Sequence, residues 1–209
     1  MADTQSEPAL VPPRPEAITG VILAGGLSRR MGGPGGLTDK GLADFRGRPM
    51  IAWAIERLSG QLDELLVSAN RNQPAYARLW PSVVADLVPG FAGPLAGLHA
   101  AMSVARHPWV LSVPCDSPFL PEDLVERMAA GVAAAGVPLG VARSEGRDQS
   151  VFLLAHRSLA PGIARFLHAG EARVGLWYAP IARVGVDFDE PGAFRNINTP
   201  CELSRFADG

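Results

Sequence analysis

The chain has 209 residues, of which 47% are hydrophobic and 7% aromatic, and such a composition is typical of a globular protein with a sizeable core. Its 19 basic and 21 acidic residues nearly cancel, which excludes the strongly basic surface expected of a protein that binds duplex nucleic acid. Cys115 and Cys201 form neither a CxxC pair nor a Cys/His cluster, which argues against a zinc site or a disulfide scaffold and favours a reducing, cytoplasmic location.

The first predicted segment is a leader that is acidic and rich in proline. Residues 1–17 lack the basic start and apolar core of a signal peptide, so we expect a disordered leader. No apolar run reaches about 18 residues, and no membrane-spanning helix is therefore expected. Residues 18–209 contain no internal repeat and no linker, which predicts one domain.

Beyond the leader, short apolar runs alternate with longer stretches that are rich in alanine and leucine. The short runs predict strands, in chain order, over 18–24, 63–69, 82–86, 109–116, 138–142, 150–155 and 181–187. The longer stretches predict helices over 49–60, 74–80, 93–106, 121–136, 158–169 and 200–206, with a small hairpin over 40–49. This alternation predicts an α/β fold: a single-domain, three-layer, Rossmann-like arrangement around a mostly parallel sheet.

The ends of the first four predicted strands carry residues that could bind a ligand. They are Gly25–Gly26, Asn70, Asp86 and Asp116. Ligands of open α/β sheets bind outside the carboxyl ends of the strands. We therefore expect these residues to face one crevice.

The segment over 21–42 contains seven glycines together with Arg29, Arg30 and Lys40. Glycine lets backbone N–H groups approach an anion closely, so this composition predicts a polyphosphate site, with a flexible surface loop as the alternative. A P-loop is excluded because Asp39, not glycine, precedes the lysine, and the G-x-G-x-x-G fingerprint is absent from the turn after the first strand.

Lys40 is the only lysine, since the other 18 basic residues are arginine. We interpret position 40 as one that needs a compact ammonium, with a chance occurrence of the single lysine as the alternative. Asp86 and Asp116 end apolar strands beside the glycine-rich segment, where a carboxylate typically holds Mg²⁺ together with phosphate and water. Helix capping is the alternative role for Asp116.

The motif LAGGLSRRMGG…DKGL resembles the signature of nucleotidyltransferases of the sugar-phosphate type, and in detail that of the molybdenum cofactor guanylyltransferases (MobA-type). Further matching motifs follow in the family's order between about Ile18 and Phe206: SANRN, VVAD, GPLAGL, VPCDSP, GRDQS, AGEARV, VDFD and NINTPCEL. The resemblance implies transfer of GMP from GTP to the phosphate of molybdopterin, with Mg²⁺ as the cofactor and pyrophosphate as the second product. It also implies the family's three-layer fold.

The resemblance also implies which residues form the site. The nucleotide would be bound by Leu23, Ala24, Gly25, Gly26, Lys40, Ser68, Asn70, Asp86 and Asp116. The catalytic residues would be Lys40, Asp116 and Arg30, and Asp116 would be the Mg²⁺ ligand. Five residues, PGGLT (34–38), stand where the family has about one, and we expect them either to cover the triphosphate or to bulge into solvent.

The pterin acceptor is expected near Asn196, Asn198 and Asp148, because the segments that carry them are polar within apolar surroundings. Relatives that transfer cytidylyl groups or act on sugar phosphates tend to have Asp-x-Asp where this chain has Asn-Ile-Asn. Amides remove negative charge there, which favours guanylyl transfer to molybdopterin.

Three alternatives remain open: a cytidylyltransferase for the same pterin, a sugar-phosphate nucleotidyltransferase, and a non-enzymatic nucleotide-binding scaffold for cofactor assembly. The expected partners are GTP and molybdopterin, with transient contacts to other cofactor-biosynthesis proteins and apo-molybdoenzymes. Neither nucleic acid nor a membrane is an expected partner.

Overall fold

The computed structural model describes residues 10–24, 39–88, 90, 93–199, 202 and 206. The strands in these ranges are β1 (Ile18–Leu23), β2 (Asp44–Phe45), β3 (Arg48–Pro49), β4 (Glu64–Ser68), β5 (Val83–Val84), β6 (Trp109–Pro114), β7 (Leu139–Ser144), β8 (Arg147–His156) and β9 (Val184–Asp187). The α-helices are α1 (Met50–Ser59), α2 (Gln73–Leu79), α3 (Pro94–Val104), α4 (Leu124–Ala135), α5 (Ala160–His168) and α6 (Val174–Tyr178).

Seven of the strands form one sheet in the order β5-β4-β1-β6-β8-β7-β9. β5, β4, β1 and β6 are mutually parallel, β8 runs antiparallel to β6 and β7, and β9 is parallel to β7. The predicted α/β fold with a mostly parallel sheet is therefore confirmed. β2 and β3 form the separate small hairpin that was predicted over 40–49.

Helices cover both faces of the sheet, and each face has its own apolar core. Strand residues point alternately to the two sides, so Ile18 and Ile22 of β1 pack with α1 and α4 while Val21 packs with α3 and α5. Gly20 lets the layer that contains α1 and α4 pack closely on β1, because a Cβ at Gly20 would lie 2.6 Å from the side chain of Leu62. The result is a three-layer arrangement in which the polar sites lie at strand ends.

Helix α1 shows why local pattern identified most of these elements. It begins directly after Pro49 and ends directly before Gly60, which are residues that start and stop helices. Its buried residues recur every three or four positions, which places one face against the sheet: Met50, Ile51, Ala54, Ile55 and Leu58.

Several predicted boundaries differ from the structure, and one helix was not predicted. Helix α4 begins at Leu124, not at 121, and the carbonyl of Asp123 accepts its first helical hydrogen bond, from the N–H of Arg127 at 2.9 Å. The strand predicted over 181–187 begins only at Val184. Helix α6 was not predicted at all, since five residues are too few to show a helical period.

The two ends of the chain are described only in part. Residues 1–9 of the predicted leader lie outside the described residues, while Pro15–Ala17 form a 3-10 turn and the carbonyl of Val11 accepts a hydrogen bond from Trp109 at 2.9 Å. The domain boundary at residue 17 stays a prediction. Of the helix predicted over 200–206, only Glu202 and Phe206 are described, and both are helical.

Across the described ranges, no helix combines the length and the apolar character needed to cross a membrane.

Candidate active site

Lys40 meets two distant segments at the carboxyl ends of the parallel strands. Its ammonium nitrogen donates to Oδ2 of Asp116 at 3.0 Å and to Oδ1 of Asn198 at 2.5 Å. The side chains of Lys40 and Asp116 are only 19% and 13% exposed. Because partial burial weakens screening by water, this ion pair is stronger than one on the open surface.

Asp116 is held in place by the backbone on both sides. The N–H of Cys115 donates to the carbonyl of Leu23 at 3.1 Å, which continues the pairing of β6 with β1. The N–H of Ile197 donates to the carbonyl of Asp116 at 2.8 Å, which holds the C-terminal segment against the strand end. The second carboxylate oxygen of Asp116, Oδ1, is buried and has no hydrogen-bond partner among the described residues.

This unpartnered oxygen decides how Asp116 could serve a metal ion. In the described part of the chain, no three His, Cys, Asp or Glu side chains group as metal ligands. Mg²⁺ that accompanies a nucleotide needs only one or two carboxylates, because phosphate and water complete its shell. One carboxylate with one unpartnered oxygen therefore fits a nucleotide-borne Mg²⁺.

Asn70 and Asp86 form a reciprocal pair at the ends of β4 and β5. The amide of Asn70 donates to Oδ2 of Asp86 at 2.6 Å, and the backbone N–H of Asp86 donates to Oδ1 of Asn70 at 2.8 Å. Burial raises the pKa of Asp86, while hydrogen bonds from Asn70 and the buried Ser68 hydroxyl act in the opposite direction. The structure thus brings together three residues predicted to bind the nucleotide.

Leu23 and Ala24, which were predicted to bind the nucleotide, each form a backbone hydrogen bond to a neighbouring strand or strand end. The carbonyl of Leu23 accepts from Cys115, and the N–H of Ala24 donates to the carbonyl of Ser68 at 2.8 Å. Gly25, Gly26 and Arg30, together with the rest of 25–38, lie outside the described residues.

The three residues predicted for the acceptor separate into two places. Asn198 contacts Lys40, and Asn196 accepts a hydrogen bond from the hydroxyl of Ser117, directly after Asp116. Asp148 instead accepts from Tyr178 at 3.3 Å and lies 3.6 Å from the guanidinium of Arg143, in a group formed by β7, β8 and α6. No described contact joins that group to Lys40.

Sequence reasoning assigned no role to three side chains that meet beside Lys40. Asp39 accepts hydrogen bonds from the hydroxyl of Tyr76 and from the amide of Asn72, the latter at 3.0 Å. We call these three residues the Asp39 cluster. Two of its members had a sequence signal, since Asp39 belongs to the DKGL motif and Asn72 to the SANRN motif, while Tyr76 had none.

Comparison with known proteins supports one family over most of the chain. The family model described as "MobA-like NTP transferase domain" matches residues 20–180. A molybdenum cofactor guanylyltransferase of Shewanella putrefaciens is 45% identical over 194 residues, which cover 92% of this chain and 97% of the relative. A protein of the same name from Shewanella halifaxensis is 46% identical over 184 residues, which cover 88% and 90% of the two chains.

Solved structures with this fold have lower sequence identity. Molybdopterin-guanine dinucleotide biosynthesis protein A of Archaeoglobus fulgidus superposes with a TM-score of 0.74 at 20% identity, covering 91% of this chain and 97% of that one. CMP:2-keto-3-deoxy-manno-octonic acid synthetase, solved with CTP, superposes with a TM-score of 0.71 at 15% identity, covering 92% and 98%. At these identities the likeness concerns the fold alone.

Proposed function

This chain belongs to the MobA-like NTP transferase family, and from that premise we propose that it transfers GMP from GTP to the phosphate of molybdopterin. The products are the molybdopterin guanine dinucleotide cofactor and pyrophosphate. The relatives that are 45% and 46% identical are named molybdenum cofactor guanylyltransferase, which supports this substrate pair over CTP or a sugar phosphate.

The contact between Lys40 and Asp116 carries the proposal. It joins the chain's only lysine to a carboxylate whose second oxygen is buried without a hydrogen-bond partner, at the edge of the sheet where ligands of this fold class bind. Asn70 and Asp86 lie one and two strands to one side of β1, and Asp116 lies on the other. We therefore assign the base and ribose to the Asn70 side and the phosphates to the space beside Lys40.

The reaction is a displacement at phosphorus. An oxygen of the acceptor phosphate forms a bond to the α-phosphorus of GTP, and the bond from that phosphorus to the oxygen bridging to the β-phosphate breaks. Pyrophosphate leaves with the electron pair of that bond. Because a phosphate monoester has a second pKa of about 6, the attacking oxygen is largely deprotonated at neutral pH and needs no general base.

Catalysis then depends on position and charge. The ammonium of Lys40 neutralises charge that builds up on the α-phosphate and on the departing pyrophosphate. Asp116 would hold Mg²⁺ through the oxygen that Lys40 does not occupy. When bound, that ion supplies further neutralisation of phosphate charge. Arg30 and the amides of Gly25 and Gly26 belong to the same proposed phosphate site.

The acceptor is proposed to lie over the C-terminal segment. Asn198 shares Lys40 with Asp116, so a phosphate bound by Lys40 would also lie within reach of that amide. Asn196 lies beside it in sequence and is oriented by Ser117. Asp148 is proposed to contact the pterin from the β7–β8 side of the same edge.

Release of pyrophosphate tests the proposal directly. GTP, CTP and ATP are each supplied with Mg²⁺, with and without molybdopterin, and pyrophosphate is measured. We expect release with GTP only, and only when molybdopterin is present. Release with CTP would replace the proposal by cytidylyl transfer, and no release with any nucleotide would support a binding scaffold.

A second experiment locates the nucleotide. Asp86→Asn should weaken binding of GTP, measured by calorimetry, because it removes the charged carboxylate that pairs with Asn70 on the side assigned to the base and ribose. The matched control is Asp63→Asn, since Asp63 is exposed and directly precedes β4, at the opposite end of that strand from Asn70. Equal GTP affinity in both variants would contradict the assignment of Asp86.

A further inference from the structure

The turn Lys40–Leu42 is held by the buried carboxylate that precedes it. Asp39 is 9% exposed, and its Oδ1 accepts the backbone N–H of Gly41 at 3.2 Å. The same oxygen accepts the hydroxyl of Tyr76, and Oδ2 accepts the amide of Asn72 at 3.0 Å. Three donors from two separate segments thus converge on one side chain.

Tyr76 contacts the turn directly. It is completely buried on α2, and a Cβ added to Gly41 would lie 2.5 Å from its hydroxyl oxygen. Burial raises the pKa of Tyr76 far above its usual range, so the hydroxyl remains a neutral donor at working pH. The turn therefore packs against the phenol with no room for a side chain between them.

Asn72 links the same turn to the nucleotide side. It precedes α2 in a left-handed conformation, with φ of 52°, and its amide reaches back to Asp39. It lies two residues after Asn70, which pairs with Asp86. The Asp39 cluster consequently connects the backbone that carries Lys40 to the segment assigned to the base and ribose.

We propose that the Asp39 cluster is a positioning device that fixes the backbone of Lys40, so that the ammonium already stands at Asp116 before substrate binds. A lysine side chain has a flexible four-carbon stem, and its effect on a reaction depends on where its charge is held. Asp39, Asn72 and Tyr76 are accordingly assigned as positioning residues. This inference rests on the proposed function, since it explains how the proposed phosphate-binding lysine is placed.

The single lysine provides a direct probe of its own placement. Protein labelled with ¹³C-lysine gives one lysine side-chain signal in an NMR spectrum, and that signal reports whether the ammonium is held or mobile. Tyr76→Phe removes only the hydroxyl and keeps the ring. We expect its lysine signal to move towards the position of an unrestrained lysine, while the amide spectrum of the sheet is retained.

Two further variants make the test specific. Asn72→Gly removes the amide at an exposed position whose left-handed backbone suits glycine, so we expect it to fold even if the tyrosine variant does not. Trp80→Phe is the control, because it removes a different side-chain hydrogen bond from the end of the same helix, the one to the carbonyl of Leu65 at 2.6 Å. We expect the lysine signal to change in the first and to stay in place in the second.

Kinetics give the second readout. We expect Tyr76→Phe and Asn72→Gly to lower kcat for pyrophosphate release about tenfold while KM for GTP changes less than about twofold. If the two variants acted only through a general loss of stability, the control Trp80→Phe would lower the measured rate as much as they do, which would contradict the positioning role.

An unchanged lysine signal in both Tyr76→Phe and Asn72→Gly would overturn the positioning role. If wild-type protein released no pyrophosphate, the proposed function would fail, yet the NMR comparison would still decide whether the Asp39 cluster holds Lys40.

Discussion

The ammonium nitrogen of Lys40 lies 3.0 Å from Oδ2 of Asp116, although the two residues are 76 positions apart in the chain. Both side chains are mostly buried, so water screens their attraction only partly. Removing one partner of such a pair leaves the other charge poorly solvated, which costs more than breaking an exposed pair. The pair therefore connects the stability of this edge of the sheet with the chemistry proposed there.

Lys40→Met is expected to lower the rate of pyrophosphate release by about 10²–10³-fold, because the charge opposite the phosphates is lost. Lys40→Arg is the matched variant, since it keeps the charge but replaces a compact ammonium by a planar fork. We expect arginine to restore less than a tenth of the activity. Turnover close to that of wild type in Lys40→Met would exclude the assigned role.

Asp116→Asn is expected to lower activity by a similar factor and to raise the Mg²⁺ concentration needed for half-maximal rate. The amide keeps the shape of the side chain but removes the negative charge from the unpartnered oxygen. The measurement is a Mg²⁺ titration of pyrophosphate release, with a matching titration of the control Asp63→Asn, an exposed carboxylate at the other end of the sheet. An Mg²⁺ curve that coincides with that of the wild type would show that Asp116 does not bind the metal.

Asn198→Ala is expected to weaken binding of molybdopterin while GTP binding changes little. Asn198 contacts Lys40 from the C-terminal segment, which is bonded to Asp116 after β6, while Asn70 and Asp86 follow strands on the other side of β1. Titration of each substrate into the variant separates the two affinities. Equal molybdopterin affinity in variant and wild type would place the acceptor elsewhere.

Gly41→Ala is expected to lower the free energy of unfolding by about 1–3 kcal/mol, because the new methyl group overlaps the hydroxyl of Tyr76. Gly60→Ala is the control, since nothing lies within 4 Å of a Cβ there. Adding Tyr76→Phe to Gly41→Ala should recover part of the loss, which urea denaturation of the single and double variants measures. Strict additivity of the two changes would contradict the contact.

Glu64 ties β4 to its neighbours through its carboxylate. It accepts hydrogen bonds from the hydroxyl of Thr19 at 2.5 Å and from the backbone and guanidinium of Arg106 at 2.8 and 2.9 Å. Burial alone would raise the pKa of Glu64, but these hydrogen bonds outweigh it and lower the pKa below the usual 4.5. The ionised group therefore adds stability above the unfolded-state pKa, and this is lost as the pH falls through the folded-state pKa.

Glu64→Gln should accordingly lower the free energy of unfolding by about 2 kcal/mol at pH 7, with a difference from wild type that shrinks in acid. Urea denaturation at pH 7 and pH 3 measures both values. Glu56→Gln, at an exposed surface pair with Arg48, should change stability little at either pH. A difference that stayed constant with pH for Glu64→Gln would contradict the assignment.

Local sequence pattern was sufficient to predict most of the fold. Apolar runs, Pro49 and Gly60 mark elements through chemistry that acts within a few residues, so β1 and α1 could be recognised from the letters alone. The same local rules fail for α6, whose five residues are ordered by packing against β8 rather than by a period of their own.

The sequence alone also determined the family and the candidate residues, because motifs such as DKGL and VPCDSP identify Lys40 and Asp116. Asp116 follows a strand whose carboxyl end lies at the ligand-binding edge of a parallel sheet. Only the tertiary structure decided which side chains meet. The contact of Lys40 with Asn198 spans 158 positions, and that of Asp39 with Tyr76 spans 37. No local preference encodes such pairs, since a side chain's partner depends on how distant segments close around it.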